Sequence, residues 1–287
     1  MTIRTPPAWG FDTISAAISA IGQGAPDDVW RGDTNRSAIP QVRRIGLDAI
    51  GRALALGWRD FSENRTDVLM VCMIYPIVGL LFGLLAAGSG LLQLLFPLVS
   101  GFALVGPFAA VGFYEMSRRR ERGLQVTWLD GIGVLRSPAI GSVALLGSAI
   151  LLLLALWLVV ANLIYVATMG PEPPVSLTGL VAAVVNTNAG RTLALVGIAT
   201  GAGFAAATLL LTVVAFPILL DRGIGVPAAL QISLRVVATN PLPMLAWAVV
   251  VAALLALGSL PALIGLAVVL PVLGHATWYL YRETVAF

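Results

Sequence analysis

Few side chains in the apolar stretches of this sequence could carry chemistry. Glu115 and His275 are the ionisable candidates, and Asn162 and Tyr75 are the polar ones. An ionisable group in apolar surroundings is costly unless it is paired, so each is a candidate for a polar pathway. The spacing favours an ion pair of Glu115 with Arg118 over a proton-carrying site. His275 lies close to the predicted cytoplasmic boundary, where a hydrogen bond to a neighbouring carbonyl is the favoured interpretation. For Asn162 and Tyr75 a packing role is favoured.

The sequence contains no set of residues typical of catalysis or of cofactor binding. There is one histidine and one cysteine, Cys72, so neither a disulfide within the chain nor a cysteine-pair metal site can form. Asp and Glu do not cluster, and the glycines at 223–225 lack the spacing and the lysine of a phosphate-binding loop. We therefore expect no catalytic residues, no metal, no cofactor and no enzymatic activity.

The composition places the chain in a membrane, because 59% of the residues are apolar and only 11% are charged. About 20 apolar residues are needed to cross the hydrocarbon core. The sequence predicts an all-α, polytopic membrane bundle of six transmembrane helices, and the third and fourth are long enough to tilt or bend. The six predicted spans cover residues 68–88, 91–116, 139–169, 192–220, 242–257 and 260–280.

The basic residues predict the orientation of these spans. All 17 are arginines, and every one except Arg191 falls on the same side of the predicted bundle. By the positive-inside rule this side is cytoplasmic, which predicts a multi-pass protein of the bacterial inner membrane with both termini in the cytoplasm. The polar residues 1–39 predict a disordered cytoplasmic tail, and residues 40–287 the transmembrane domain.

The cytoplasmic segments suggest a weak repeat of three units, each an interfacial amphipathic helix followed by a helical hairpin. One apolar face predicted for the first helix includes Ala49, Ala53, Gly57 and Phe61. The second would use Leu124, Trp128, Ile132 and Leu135, and the third Leu230, Leu234 and Val237 after an opening Pro227. Glycine and alanine rows at 79, 83, 87 and at 197, 201, 205 predict close helix packing.

Several motifs resemble those of a known family. They are Gly57-Trp58-Arg59-Asp60-Phe61, Tyr75-Pro76 and Gly106-Pro107-Phe108 within residues 39–123, followed by residues 233–243. The chain resembles the uncharacterised bacterial integral membrane proteins of domain of unknown function 2189. That resemblance implies a membrane protein and brings neither an activity nor site residues. Members of such groups are sometimes labelled oxidase subunit I, but a haem and copper centre needs several histidines, which excludes that function.

The sequence favours a scaffold or accessory protein of a membrane complex, because its apolar spans lack a polar constellation. A channel or small-solute permease stays open as the alternative, since prolines such as Pro107 and Pro271 could break helices at midplane. The expected partners are the lipid bilayer, anionic lipid at the cytoplasmic face and a membrane protein, but not nucleic acid. The arginines expected to contact the membrane surface or a partner are Arg118, Arg119, Arg120 and Arg122.

Overall fold

The computed structural model describes residues 40–63, 77, 79–81, 84, 88–260 and 263–286. The tail predicted at 1–39, the site candidate Tyr75 and most of the first predicted span lie outside these residues. The elements along the described chain are β1 (Gln41–Val42), α1 (Asp48–Glu63), a 3-10 turn (Leu92–Leu94), α2 (Leu95–Ala109), α3 (Val111–Glu121), α4 (Trp128–Ile132), a 3-10 turn (Gly133–Arg136), α5 (Ile140–Met169), α6 (Leu177–Asn186), α7 (Asn188–Thr212), α8 (Ala215–Arg222), α9 (Val226–Thr239), α10 (Pro241–Ser259), α11 (Leu266–Thr284) and β2 (Val285–Ala286).

Three helical segments of the described chain are long and apolar enough to cross a membrane. They are Ile140–Met169, Asn188–Arg222 and Pro241–Ser259, and they coincide with the third, fourth and fifth predicted spans. The second predicted span corresponds to a pair of segments, Leu92–Gly101 and Ala103–Ala109, that meet at 42° and together could form a fourth. The structure therefore supports an all-α membrane protein with three or four spans in the part of the chain that it describes, and the count of six stays a prediction.

The last helix differs from a simple span. α11 begins apolar, but its second half carries His275, Arg282 and Glu283, and most of that half is buried by other helices rather than left for lipid. It packs mainly against α1 and also against α3 and α10. α11 is not among the three helical segments that are long and apolar enough to cross a membrane, so the sixth span at 260–280 stays a prediction.

The core centres on α8, which follows α7 after a short break at Val213 and Val214. Every residue from Val213 to Leu220 is almost fully buried, and the ring of Phe216 lies 5.9 Å from that of Phe108 on α2. Segment 188–222 has 35 residues, so at about 1.5 Å per residue its two helices together extend for about 52 Å. This length exceeds the membrane thickness, and residues 215–220 at its end are buried among other helices.

The apolar face predicted for α1 exists, and its partner is protein. Ala49, Ala53 and Phe61 are buried, and α1 makes its main contact with α11. At Gly57 the two backbones touch, because a Cβ there would lie 2.6 Å from the amide nitrogen of Ala276 and 2.8 Å from the carbonyl oxygen of Val272. Glycine is thus required for the crossing of α1 and α11.

The other two predicted interfacial helices differ in detail. Residues 128–136 form only the short α4 and a 3-10 turn, and Leu135 is exposed. α9 begins with Pro227 in its first turn, as predicted. Its buried face uses Ala229, Ile232 and Val236, while Leu234 is 42% exposed. The face is rotated from the predicted one because apolar residues lie on both sides of this helix, so periodicity alone does not select one. The threefold repeat stays a prediction.

The two ends of the described chain are joined by a small antiparallel sheet that an all-α prediction omits. Gln41 and Val42 of β1 pair with Ala286 and Val285 of β2. Asn240, between α9 and α10, holds the segment that follows β1. Its amide oxygen accepts a hydrogen bond from the N–H of Ile45 at 2.8 Å, and its amide nitrogen donates to the carbonyl of Arg43 at 3.0 Å.

Candidate functional site

Polar side chains converge where α1, α3 and α11 meet. α3 contributes the run Glu115-Met-Ser-Arg-Arg-Arg-Glu121, in which residues three and four positions apart share a helix face. α1 contributes Asp60, and α11 contributes His275 and Tyr279. We call these side chains, with their direct ion-pair partners, the polar junction.

Glu115 is the centre of one half of the polar junction. Its carboxylate is fully buried and accepts from Arg118 Nε at 2.7 Å and Nη2 at 3.1 Å, and from Arg119 Nε at 2.8 Å. Arg119 continues to Asp130 of α4 at 2.5 Å. The Arg118 side chain is only 4% exposed. Two arginines thus compensate the buried carboxylate, which unpaired would cost several kcal/mol.

Asp60 is the centre of the other half. Its Oδ2 accepts from Ser117 Oγ at 2.7 Å and from Tyr279 Oη at 2.9 Å, and its Oδ1 lies 3.0 Å from Arg120 Nη1. Arg120 also donates to the carbonyl oxygen of Asp60 at 2.9 Å and pairs with Glu63 at 3.3 Å. Asp60 is fully buried. The two hydrogen bonds to Oδ2 replace those that water would make there, whereas Oδ1 has the ion pair with Arg120 but no hydrogen bond among the described residues.

His275 completes this half through Ser117. Its Nδ1 lies 2.8 Å from Ser117 Oγ and 3.9 Å from Asp60 Oδ2. Because the Ser117 hydroxyl donates to Asp60, its oxygen is free to accept from a protonated Nδ1. Nε2 is then left as a buried acceptor, without a hydrogen-bond partner among the described residues, and the ring stacks obliquely on Phe113 at 5.3 Å.

Serine, histidine and aspartate meet here in an order that does not suit nucleophilic catalysis. In a catalytic triad the imidazole lies between the hydroxyl and the carboxylate and accepts the hydroxyl proton. Here the hydroxyl of Ser117 lies between the other two groups and is fully buried. The arrangement holds three helices together and presents no nucleophile.

A second group of charges lies at the rim of the polar junction. Tyr281 donates to Asp221 Oδ2 at 2.8 Å, and Arg282 pairs with Glu121 at 2.9 Å. Trp278 donates through Nε1 to Glu121 at 3.2 Å. Burial raises the pKa of the Tyr281 phenol well above its ordinary value, and the negative charge of Asp221 raises it further.

A surface ion pair network links α1 to the end of α11. Arg52 donates to both carboxylate oxygens of Glu283 at 3.0 Å and also pairs with Asp48. The hydrogen bond to Glu283 raises the pKa of Arg52, followed by the bond to Asp48. The hydrogen bond from Arg52 lowers the pKa of Asp48. Arg52 and Asp48 are exposed and Glu283 is partly exposed, so these ion pairs add little to stability.

The remaining site candidates lie elsewhere. Asn162 Oδ1 accepts from Gln93 Nε2 at 3.3 Å, near the opposite end of α5 from the polar junction, and Tyr75 lies outside the described residues. Arg122 lies 4.0 Å from Asp221 and is more exposed than Arg118, Arg119 and Arg120. Among the described residues, no group of three or more His, Cys, Asp and Glu side chains is placed to hold a metal ion.

Sequence reasoning missed four central residues, Asp60, Ser117, Tyr279 and Asp221. Only Asp60 left a signal in the sequence. It follows Ala49, Ala53 and Gly57 on the predicted apolar face of α1, where a carboxylate needs a partner. The partners of Asp60 are 57 to 219 positions away in the chain, and only the fold reveals them.

The helical segments and the buried polar junction define a multi-pass, all-α integral membrane protein. Residues 95–221 match a family model described as a predicted integral membrane protein, domain of unknown function 2189, which confirms the resemblance seen in the sequence. The match includes Gly106-Pro107-Phe108, whereas the motifs at 57–61, 75–76 and 233–243 lie outside it. No curated protein and no solved structure matches the chain.

Proposed function

We propose that this protein is a scaffold or accessory component of a membrane complex rather than an enzyme. The observation that carries the proposal is that buried polar groups bind one another across helices. Asp60, Ser117, His275 and Tyr279 join α1, α3 and α11, and Glu115 joins α3 to α4 through Arg119. Side chains committed to internal contacts rigidify a fold, which suits a protein that presents a fixed surface.

The arginines that we propose for contact with anionic lipid or a partner are not those of α3. Arg118, Arg119 and Arg120 bind carboxylates of their own chain. Arg43, Arg44 and Arg235 are exposed, and β1 packs on α9, which carries Arg235. We call these three residues the basic surface. Each positive charge near an anionic leaflet contributes about 1 kcal/mol of attraction.

The proposed location is the bacterial inner membrane, with the polar junction and both termini on the cytoplasmic side. Arg136 precedes α5 and Arg222 ends α8, whereas Arg191 lies at the start of α7, where its Nε donates to the carbonyl of Val185 in α6. α5 and α7 run in opposite directions, so Arg191 is separated from the other two by the length of these helices. This distribution supports the cytoplasmic assignment by the positive-inside rule.

The experiment is co-purification in mild detergent after crosslinking, followed by mass spectrometry. The test variant carries Arg43→Gln, Arg44→Gln and Arg235→Gln, and the matched control carries Arg191→Gln. We expect a defined set of membrane proteins with the wild type and the control, and its loss with the test variant. A monodisperse protein without a partner, which gives a measurable solute flux in liposomes, would overturn the scaffold proposal and support the permease alternative.

A further inference from the structure

Two adjoining apolar cavities lie between α2, α5, α7 and α10, away from the polar junction. The larger has a volume of about 500 Å³ and is also bordered by α6, and the second has about 440 Å³ and extends to α10. They share a wall formed by Phe96, Val99, Trp157, Gly197 and Ile198. The two cavities adjoin along this shared wall, and together they offer space for a long, narrow, apolar molecule. We call this space the apolar cleft.

Side chains that line the apolar cleft are exposed on the outer surface of the helical bundle. Phe96 and Ile198 line both cavities and are 64% and 61% exposed, and Val181 of α6 is also exposed beside the larger one. α5 and α7 belong to segments that are long enough to span the membrane. A cleft of this kind is in contact with hydrocarbon chains, and an unfilled void would forfeit the dispersion contacts of its walls.

The glycine row of α7 creates this space. Residues 197, 201 and 205 predict close helix packing, yet a Cβ added at Gly197 would find no atom within 4 Å. Only Gly201 meets a neighbour closely, with Trp157 at 3.1 Å from the added Cβ. Gly197 therefore lines open space in the apolar cleft, although a leucine would be a better helix former at that position.

The lining of the larger cavity includes a polar amide side chain. Gln93 lines the cavity, three residues after the turn at Gly90, and donates to Asn162. Its Oε1 is buried and has no hydrogen-bond partner among the described residues. A buried acceptor of this kind calls for a donor. The apolar cleft thus combines an acceptor near the end of the bundle with a long apolar interior.

We propose that the apolar cleft binds one phospholipid, with an acyl chain lying along Trp157 and Gly197 and an N–H or O–H donor of the headgroup bound to Gln93. The membrane supplies this ligand at high local concentration, and its shape matches the polar end and apolar interior. The site does not depend on the scaffold role. Its failure would leave the partner experiment unaffected.

The first test maps contacts of a photoreactive lipid in the full-length protein. The probe is phosphatidylethanolamine with a diazirine on its acyl chain, reconstituted with the protein in vesicles. Lipid surrounding the bundle labels exposed residues such as Leu152 on α5, which is 72% exposed. Trp157 and Ala161 lie on the same helix, are buried and line the larger cavity. Adducts on Trp157 and Ala161 are expected, and adducts confined to exposed residues would overturn the proposal.

The second test fills the apolar cleft. Gly197→Leu places a side chain in the shared wall, and Gly203→Leu is the matched control, because its Cβ also finds no atom within 4 Å but it lines neither cavity. We expect Gly197→Leu to lose the adducts on Trp157 and Ala161 while keeping those on Leu152. The control should keep both. Undiminished labelling of Trp157 in a folded Gly197→Leu protein would contradict the proposal. If that variant does not fold, the positions of the lipid adducts on the wild-type protein test the proposal alone.

Discussion

Arg118 binds Glu115 inside the protein, so removing its charge leaves a buried carboxylate with less compensation. We expect Arg118→Gln to reduce the free energy of unfolding by about 3 kcal/mol, the lower end for a broken buried pair, because Arg119 still binds Glu115. The measurement is the midpoint of thermal unfolding in mild detergent, with tryptophan fluorescence as the probe of unfolding.

Arg44→Gln is the matched control for this prediction. Arg44 is exposed, so its replacement should change the free energy of unfolding by no more than about 0.5 kcal/mol. The double variant Glu115→Gln with Arg118→Gln should recover part of the loss, since it contains no buried carboxylate at that position. Equal midpoints for Arg118→Gln and Arg44→Gln would show that the pair does not stabilise the fold.

Tyr281 makes the stability of the folded protein depend on pH in the alkaline range. Its pKa in the folded protein is raised above the value of about 10 expected for the unfolded chain. Folding therefore favours the protonated phenol. This contribution to stability is complete below about pH 10 and is lost as the pH rises through the folded-state pKa.

The test compares the wild type with Tyr281→Phe from pH 8 to pH 11. At pH 8 the variant lacks the hydrogen bond to Asp221 and should lose about 2 kcal/mol of stability. The difference in stability between the wild type and the variant should narrow above pH 10. Only the wild type must keep this phenol protonated in the folded state, which costs free energy at a pH where the unfolded chain loses the proton. Other tyrosines titrate in both proteins and cancel. A difference that stays constant up to pH 11 would contradict the raised pKa.

At the residue scale, the sequence predicted contacts between residues that are close in the chain but not between residues that are far apart in it. Glu115 and Arg118 are three positions apart on one helix, so the helical period alone favours their ion pair. Ser117 and His275 are 158 positions apart and depend on how α3 and α11 pack. No local pattern in the sequence encodes that packing.

At the scale of elements, the crossing of α1 and α11 depends on Gly57. A Cβ at this position would lie within 2.8 Å of two backbone atoms of α11, which cannot rotate away as a side chain could. We expect Gly57→Ala to reduce stability by about 2–3 kcal/mol, as overpacking of a close contact does. The thermal midpoint of the purified protein measures this effect.

Gly51→Ala is the control on the same helix. Gly51 is exposed, and a Cβ there would meet no atom within 4 Å. Because alanine favours helix over glycine, this variant should gain about 0.5–1 kcal/mol. The two glycine replacements should therefore change stability in opposite directions. A gain in both would mean that α1 does not contact α11 as closely as the structure has it.

The sequence located the long apolar helices well and the compact ones less well. α5, α7 and α10 follow from runs of apolar residues, because a lipid-facing helix must be apolar along its length. The break at Val213 and Val214 separates α8 from α7 within one apolar run, so hydropathy does not reveal it. The sequence predicts α11 as a span because its aromatic residues are hydrophobic. In the structure, contacts with other helices bury these aromatic side chains.

On the scale of the whole molecule, charge and apolar surface are segregated. The polar junction and the basic surface occupy one end, and the apolar cleft extends from the other end into the bundle. The arginine distribution therefore has two parts. Arginines such as Arg118 and Arg120 compensate buried carboxylates, whereas Arg43 and Arg44 are exposed. A count of arginines by segment predicts orientation but does not separate these two groups.

This segregation predicts the membrane orientation, which single cysteines can test. In a Cys72→Ser background, Arg44→Cys and Glu172→Cys each place one exposed thiol at opposite ends of the bundle. The two ends are separated by α5, about 45 Å long for its 30 residues. We expect a charged, membrane-impermeant maleimide to label Glu172→Cys in intact spheroplasts, and Arg44→Cys only after permeabilisation. Labelling of both from outside would require an even number of crossings between them, and the reverse pattern would place the basic surface outside the cell.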